Sequence, residues 1–136
     1  LKTKEYKMSR QLNMCIIEGR LTADPKTRAF PDGGAVTNFT IANNNTYVFK
    51  DKTTKEVVAF IYCEVKGRRG ELIQERFKKG NLILVQGRWG RDEWTDKEDG
   101  TKRSRDKLVV EDFHFREAKQ DADEPRNVMD ESEIPF

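Results

Sequence analysis

A strict alternation of side-chain character runs through Val57-Val58-Ala59-Phe60-Ile61-Tyr62-Cys63-Glu64-Val65-Lys66. The odd-numbered residues are all apolar, whereas the even-numbered ones combine Val58, Phe60 and Tyr62 with Glu64 and Lys66. Because successive side chains of a β-strand point to opposite faces of the sheet, this period of two predicts a strand. We expect its odd face to form the core. We expect its even face, with aromatic rings beside charges, to meet solvent or a partner.

Strand patterning recurs elsewhere in the chain between residues that favour turns. Asp24-Pro25, Pro31-Asp32-Gly33-Gly34 and Asp99-Gly100 are such boundaries, because Gly, Pro and Asp suit the tight backbone geometry of turns. The last of them is typical of a hairpin turn. The predicted strands are 12–22, 35–43, 57–66, 81–89 and 107–115.

One short helix is predicted between the third and fourth strands. Leu72, Ile73 and Phe77 fall on one helical stripe within 71–77, and Gly80 follows as a residue that commonly ends a helix. We also expect Phe77 to lie in the core, together with Phe39 and Ile41 of the second strand.

Two polar stretches are assigned to connections between strands. The first includes Asn43-Asn44-Asn45 and Lys50-Asp51-Lys52, and the second is a charged hairpin loop over 91–105. Five strands with a lone helix in this position predict an all-β, five-stranded Greek-key barrel, the OB-fold. One face of that barrel and its flanking loops bind oligonucleotides or oligosaccharides, although a fold alone does not establish a function.

Composition limits the class of protein. The 136 residues suit one domain with a short tail. No stretch approaches the roughly 18 apolar residues of a membrane span, and the polar start of the chain does not resemble a secretory signal. The two cysteines, Cys15 and Cys63, are too few for a disulfide framework or a zinc cluster. We therefore expect a cytoplasmic protein with no membrane partner.

Charge divides the chain into a basic body and an acidic end. Residues 117–136 contain seven acids and two bases, a net charge of −5, whereas residues 1–116 carry +7. Such asymmetry is typical of a polyanion-binding domain with an interaction tail, or of two solvated surfaces. The predicted divisions are a flexible extension (1–11), the folded domain (12–116), a disordered linker (117–129) and an acidic tip (130–136). Leu1 and Met8 both stay open as the natural start.

Motifs for catalysis, metal binding or cofactor binding are not found. The glycines around Gly67-Arg68-Arg69-Gly70 lack the spacing of a nucleotide-binding phosphate loop. His114 is the only histidine and has no second ligand or nucleophile in its neighbourhood. Cys15 and Cys63 fall within strands, where we expect buried small hydrophobic residues. The chain is therefore predicted not to be an enzyme and to need neither a metal nor a cofactor.

Binding of single-stranded nucleic acid has better support. It requires cations that follow the phosphates and exposed rings on which unpaired bases stack. The candidate stacking residues are Tyr47, Phe60, Tyr62 and Trp94. The candidate phosphate contacts are Arg20, Lys50, Lys52, Lys66, Arg68, Arg69, Arg88, Arg91, Lys102, Arg103 and Arg105.

Other interpretations of these aromatic residues stay open. A loop or a partner subunit could cover Phe60 or Tyr62, since exposed apolar surface often marks a protein interface. Trp94 could also be buried, although its neighbours are charged. Trp89 shares the parity of Ile83 and Val85, and is expected in the core or at an interface.

The last residues form a second candidate site. Acids, a restricted proline and a terminal aromatic residue can act together as a plug, with the ring in an apolar pocket of a partner and the carboxylates steering its approach. The candidate partner-binding residues are Asp130, Glu131, Glu133, Ile134, Pro135 and Phe136.

Three separated motifs resemble the bacterial single-stranded DNA-binding protein family. They are Gly19-Arg20-Leu21-Thr22-Ala23-Asp24-Pro25, then Gly34-Ala35-Val36-Thr37-Asn38-Phe39-Thr40-Ile41-Ala42, and then Phe77-Lys78-Lys79-Gly80 continuing to Gly87-Arg88. Trp94-Thr95-Asp96 and the acidic tip complete the resemblance, which covers about 12–116 and the tip.

The resemblance implies an OB-fold that assembles as a homotetramer, wraps single-stranded DNA and is not an enzyme. It also implies that the tip binds proteins of replication, repair and recombination. The family's stacking positions fall on Tyr47, Phe60 and Trp94, and a further one falls on Lys66, where phosphate contact would replace stacking. This departure and the short linker hint at a divergent or mobile-element member. An RNA-binding OB-fold and a primosome-type protein-interaction adaptor are the alternatives.

Overall fold

A computed structural model describes residues 10–116 of the chain. The elements are β1 (Cys15–Leu21), β2 (Lys26–Ala29), β3 (Ala35–Val48), β4 (Thr54–Lys66), α1 (Arg68–Arg76), β5 (Leu82–Thr95) and β6 (Lys102–Phe115). Most of the predicted N-terminal extension, the whole predicted linker and the acidic tip lie outside the described residues.

The strands close into a barrel. In the sheet they follow the order β1-β5-β6-β4-β3-β2, and a further pairing of β1 with β3 closes the five strands other than β2 into a ring. This closing pair is short, with Arg20 opposite Ala42 and Leu21 opposite Ile41. Five of the strands and one short helix thus confirm the predicted OB-fold, with α1 between the third and fourth strands of the barrel.

The core fills the barrel and extends beneath the helix. Ile61, Cys63 and Val65 of β4 are buried as their odd parity predicts, and Phe39 and Ile41 lie opposite them on β3. The core cluster consists of Leu21, Phe39, Ile41, Ile61, Cys63, Val65, Ile73, Phe77, Ile83, Val85, Leu108 and Val110.

The helix is longer than its apolar stripe predicts. It begins at Arg68 instead of residue 71, directly after Gly67, whose positive φ of 73° turns the chain out of β4. Ile73 and Phe77 are buried beneath it. The ring of Phe77 contacts Phe113 edge-on with centroids 5.9 Å apart. The helix therefore closes one end of the barrel.

The first half of the alternation in β4 does not become core. Val57 is 41% exposed and Ala59 is also exposed, so their predicted burial was wrong. The physical reason is that β3 and β4 continue past the barrel as a two-stranded ribbon, with Val57 opposite Asn45 and Ala59 opposite Asn43. The asparagines that were assigned to a connection are therefore part of β3.

A sixth strand, β2, was not predicted. It pairs with β3 from Lys26 opposite Asn38 to Ala29 opposite Ala35. It follows the same edge of β3 that β1 leaves at Leu21, after an interruption that includes Asp24-Pro25. Its four residues lack a large apolar side chain, and so the sequence shows no alternation of apolar and polar residues there.

The two long hairpins end in the same turn chemistry. The carboxylate of Asp51 accepts hydrogen bonds from the backbone N–H and the hydroxyl of Thr53, and Asp99 accepts the same pair from Thr101. These hydrogen bonds lower the pKa of both carboxyl groups. The predicted hairpin turn at Asp99-Gly100 is confirmed, but the strands reach much further toward it than the predicted loop allowed.

The helix α1 has nine residues and is the only helix in the part of the chain that the structure describes. Neither its length nor its apolar content would let it cross a membrane.

Gly87 tests how tightly the β5–β6 pair is built. A Cβ atom there would overlap the backbone carbonyl oxygen of Val109, next to a register shift between Gln86 and Gly87. We expect Gly87→Ala to lower the free energy of unfolding by about 1–3 kcal/mol or more, because backbone cannot move aside as a side chain can. Urea unfolding measures this difference.

Gly90→Ala in the same strand is the matched control. Its Cβ would meet side-chain atoms only, the nearest being Cγ2 of Val109 at 3.2 Å. The loss should be below about 1 kcal/mol, since a small side-chain shift relieves the contact. Equal losses in the two variants would contradict the close backbone approach at Gly87.

Candidate nucleic-acid interface

Strand register sets one row of side chains on the outside of the barrel. Tyr62 lies opposite Thr40 on the face of β4 that points away from the buried Cys63. On the next hairpin, Arg105 lies opposite Asp92. We call this outer side of β3, β4, β6 and β5 the front face. Its predicted site residues are Phe60, Tyr62, Lys66, Arg88, Trp94, Arg103 and Arg105.

The rings on the front face differ in exposure. Phe60 is 69% exposed and Trp94 is 44% exposed, so both present ring surface to solvent. Tyr62 is half-buried, and the guanidinium of Arg105 lies 4.6 Å from its ring centroid. Such a cation–π contact holds Arg105 in place while leaving its N–H groups able to bind an anion.

Trp94 and Arg103 help to line a basic cavity, but its other lining residues have the opposite strand parity and so lie on the side of the β5–β6 hairpin away from the front face. The cavity has a volume of about 430 Å³ and is lined by Arg91, Lys102 and Arg103, with Glu93 as its acid. Ser104 and Thr95 add hydroxyl groups. Trp94 is thus an exposed ring on a hairpin that carries cations on both of its faces, and an exposed ring near positive charge is what a stacked nucleotide requires.

Some of these cations already have partners. Arg103 contacts Asp96 at 2.8 Å and Asp99 at 3.3 Å, and Arg91 donates to the Ser104 hydroxyl at 2.9 Å. Arg103 thus supports the hairpin turn as well as adding charge beside Trp94.

Tyr47 is not brought onto the front face. It is 47% exposed and lies opposite Lys55 on the other side of the β3–β4 ribbon from Phe60. Lys50 and Lys52 are exposed in the turn at the tip of the same ribbon. These three candidates form a second aromatic and basic group. A bound nucleic acid would reach this group only by passing around the β3–β4 ribbon.

Three other predicted phosphate contacts lie elsewhere. The guanidinium of Arg20 donates to the carbonyl oxygen of Gly80 at 2.9 Å, on the connection that follows α1. Arg68 and Arg69 lie in the first turn of α1, where Arg68 pairs with Glu71 at 3.1 Å. The geometry does not group these three with Phe60 and Trp94.

At the centre of the front face, one lysine joins three strands. The ammonium of Lys107 on β6 contacts Glu64 on β4 and, at 2.8 Å, Asp92 on β5. Only 14% of the lysine side chain is exposed. Burial lowers the pKa of Lys107, but hydrogen bonds and charge from Asp92 and Glu64 outweigh burial and raise it overall. The group carries a net charge of −1, so the positive field must come from the residues around it.

The sequence interpretation missed this group and the far edge of the front face. Lys107 was assigned to the fifth predicted strand without a role. Lys26, Arg28 and Asn38 join the outer face through the pairing of β2 with β3. The alternation around Phe39 could have placed Asn38 on the outside, whereas nothing in the sequence marked β2.

The two cysteines offer no chemistry to the interface. Cys63 is fully buried, and burial raises the pKa of its thiol to about 12. Cys15 is half-buried at the start of β1. Across residues 10–116, no cluster of three or more His, Cys, Asp or Glu side chains could hold a metal ion.

Comparison with known proteins gives one consistent family. Residues 12–116 match the single-strand binding protein family. A single-stranded DNA-binding protein of Helicobacter hepaticus is 34% identical over 82% of this chain and 65% of its own length. One from Aquifex aeolicus is 32% identical over 91% of this chain and 82% of its own length. These relatives carry the names of binding proteins, in agreement with the prediction that the chain is not an enzyme.

A solved structure is similar as well. A deletion mutant of the single-stranded DNA binding protein from Thermus aquaticus aligns with a TM-score of 0.67 and 29% identity, over 82% of this chain and 54% of that one. The chain thus spans 54–65% of the length of several proteins that it matches.

The lysine group gives a stability prediction. Lys107→Met leaves Glu64 and Asp92 facing each other without a cation, so we expect a loss of about 1–3 kcal/mol in the free energy of unfolding. Because the pKa of Lys107 is raised, its stabilisation is complete below about pH 10 and disappears as the pH rises through that pKa. Urea unfolding of both proteins across this pH range measures the difference.

Arg91→Met is the control, because the pair of Arg91 with Glu93 is 3.6 Å long and exposed on both sides. Its loss should stay within about 1 kcal/mol. A Lys107 variant as stable as this control would show that the three-strand contact does not stabilise the barrel.

Proposed function

The chain belongs to the single-strand binding protein family, and from that premise we propose that it binds single-stranded DNA with little regard to base sequence. The observation that carries the proposal is a pair of exposed rings, Phe60 and Trp94, on one face of the barrel together with Lys66, Arg88, Arg103 and Arg105. Stacking on such rings tolerates any base, because every base has a π-face.

The proposed mechanism divides the work between rings and cations. Bases stack on Phe60 and Trp94 and extend to Tyr62, while phosphates follow the cations of the front face. Lys66 and Arg88 have no ion pair with any of residues 10–116, and so their charge is available to the ligand. Tyr47, Lys50 and Lys52 would bind single-stranded DNA that continues around the β3–β4 ribbon.

Assembly and cellular role form the second part of the proposal. We infer a homotetramer that coats single strands on the bacterial nucleoid, in the cytoplasm, during replication, repair and recombination. Exposed Met14 and Ile16 support self-association, together with the edge of β1 that pairs with β3 only at Arg20 and Leu21. An apolar strip beside an unpaired strand edge favours contact with another chain.

The two tryptophans of β5 test the site. Adding oligo(dT) should quench the tryptophan fluorescence of the wild-type protein and of Trp89→Phe, because Trp94 carries the stacked base. Trp94→Phe should lose the quenching while keeping an aromatic ring. Phe60→Ala should weaken binding by about 1–3 kcal/mol, roughly 5- to 140-fold in the dissociation constant.

Phe30→Ala controls for the loss of an exposed ring, since Phe30 is 47% exposed and lies in the β2–β3 turn, outside the four strands of the front face. Affinity should also fall with salt, at a logarithmic slope of about −0.7 per phosphate neutralised. Absence of both quenching and a gel shift would overturn the proposal. Tighter binding of oligo(U) than of oligo(dT) would favour the RNA-binding alternative.

The acidic tip lies outside the described residues, and its role as the site for replication and repair proteins is part of the proposal. Deleting Ile134, Pro135 and Phe136 should leave the affinity for oligo(dT) unchanged within twofold and abolish capture of bacterial replication and repair proteins on an affinity column. Replacing the same three residues by glycines controls for chain length. Undiminished capture by the shortened chain would contradict this role.

A further inference from the structure

A groove of about 350 Å³ lies between the β1–β2 connection and the outer side of β3 and β4. Tyr62 forms one wall, Phe39 and Thr40 contribute from β3, and Thr22 to Asp24 form the opposite side. Lys26, Arg28 and Asn38 complete the lining. The volume falls within the range of small-ligand sites in proteins.

The polar groups of this groove divide into occupied and free ones. The carboxylate of Asp24 accepts the backbone N–H of Lys79 at 2.8 Å, and the Thr22 hydroxyl donates to the carbonyl oxygen of Thr40 at 3.2 Å. By contrast, the side chains of Lys26, Arg28 and Asn38 have no hydrogen bond or ion pair to any of residues 10–116. Two cations and one amide are therefore available to a ligand.

The wall that Tyr62 provides is continuous with the front face. Arg105 covers the ring of Tyr62 from the side of β6, whereas the groove meets Tyr62 from the side of β2 and β3. The register aligns Lys26, Asn38 and Glu64 across neighbouring strands, one rung from Thr40 and Tyr62. Single-stranded DNA bound over Phe60 thus reaches this groove by crossing Tyr62.

We propose that the groove is a nucleotide subsite that extends the DNA path from Tyr62 to β2. This proposal rests on the proposed function. One base stacks on the face of Tyr62 that Arg105 leaves open, the amide of Asn38 hydrogen-bonds the base edge, and Lys26 and Arg28 bind the adjoining phosphates. An amide offers both a donor and an acceptor, so it can pair with the edge of any base.

Photocrosslinking with oligo(dT) carrying 5-iodo-2′-deoxyuridine tests the subsite, because the excited base attaches to the aromatic side chain on which it stacks. Peptide mapping of the full chain should find crosslinks at Tyr62 as well as at Phe60 and Trp94. Asn38→Ala and the double variant Lys26→Ala/Arg28→Ala should each lower the yield at Tyr62 relative to Trp94 by threefold or more.

Arg76→Ala/Lys78→Ala is the matched control, since it also removes one exposed arginine and one exposed lysine, but at the C-terminal end of α1. It should leave the ratio of Tyr62 to Trp94 crosslinks unchanged. Crosslinks at Trp94 without any at Tyr62, or a ratio that the Asn38 and Lys26/Arg28 variants do not alter, would overturn the subsite and leave the proposed function intact. No crosslink at any of the three rings would overturn both.

Discussion

In β4, burial of Ile61, Cys63 and Val65 fixes Phe60, Tyr62 and Lys66 on the outside, because neighbouring side chains of a strand point in opposite directions. The rest of the binding face depends on this constraint. A slip of one residue against β3 would put Phe60 in the core and expose Cys63. The burial that holds the barrel together therefore also presents its rings, and the same pairing carries the pattern to Asn38 and Thr40.

The centre of the front face is nearly neutral, and this shapes where an anionic strand is held. Glu64 and Asp92 would repel phosphates if Lys107 did not bridge them. The bridge also links β4 to β6, whose backbones pair at only two positions. The available cations surround this point: Arg105 lies over Tyr62, Arg88 on β5 lies opposite Val109, and Lys26 lies opposite Asn38. Positive charge at the periphery suits a ligand that crosses the face as a chain.

Much of the fold was readable from the sequence because it depends on short-range patterns. Alternation around Ile61 identified the central strand, Asp99-Gly100 identified a hairpin, and Gly80 marked the chain shortly after the helix. Phe60 and Trp94 could be selected for the same reason, one by parity and the other by its charged neighbours. Both are exposed on one face, as that reasoning requires.

The features that the sequence did not reveal depend on pairing across the sheet. Asparagines at 43–45 disfavour a strand locally, yet β4 supplies backbone partners, and the amide of Asn43 donates to the carbonyl of Glu18 at 2.7 Å. Val57 carries the core pattern but lies beyond the region that other elements cover. Trp89 shares the parity of Val85, yet it is 40% exposed, because it lies near the point where the buried residue pairs of β5 and β6 end. Parity predicts which face a side chain takes, whereas its burial depends on how far the neighbouring strands extend.

The two long hairpins carry side chains past the core, where the face is set by parity but the side chains stay exposed. Past the core, β3 with β4 and β5 with β6 keep their backbone hydrogen bonds, so the rings at Tyr47, Phe60 and Trp94 stay on regular strands while their side chains remain uncovered. Paired strands limit backbone freedom, and a ring held in place loses less entropy when a base stacks on it. Asp51 and Asp99 fix the two turns with identical hydrogen bonds to Thr53 and Thr101. In the proposed function, a flexible single-stranded DNA therefore adapts to rings that the paired strands hold in position.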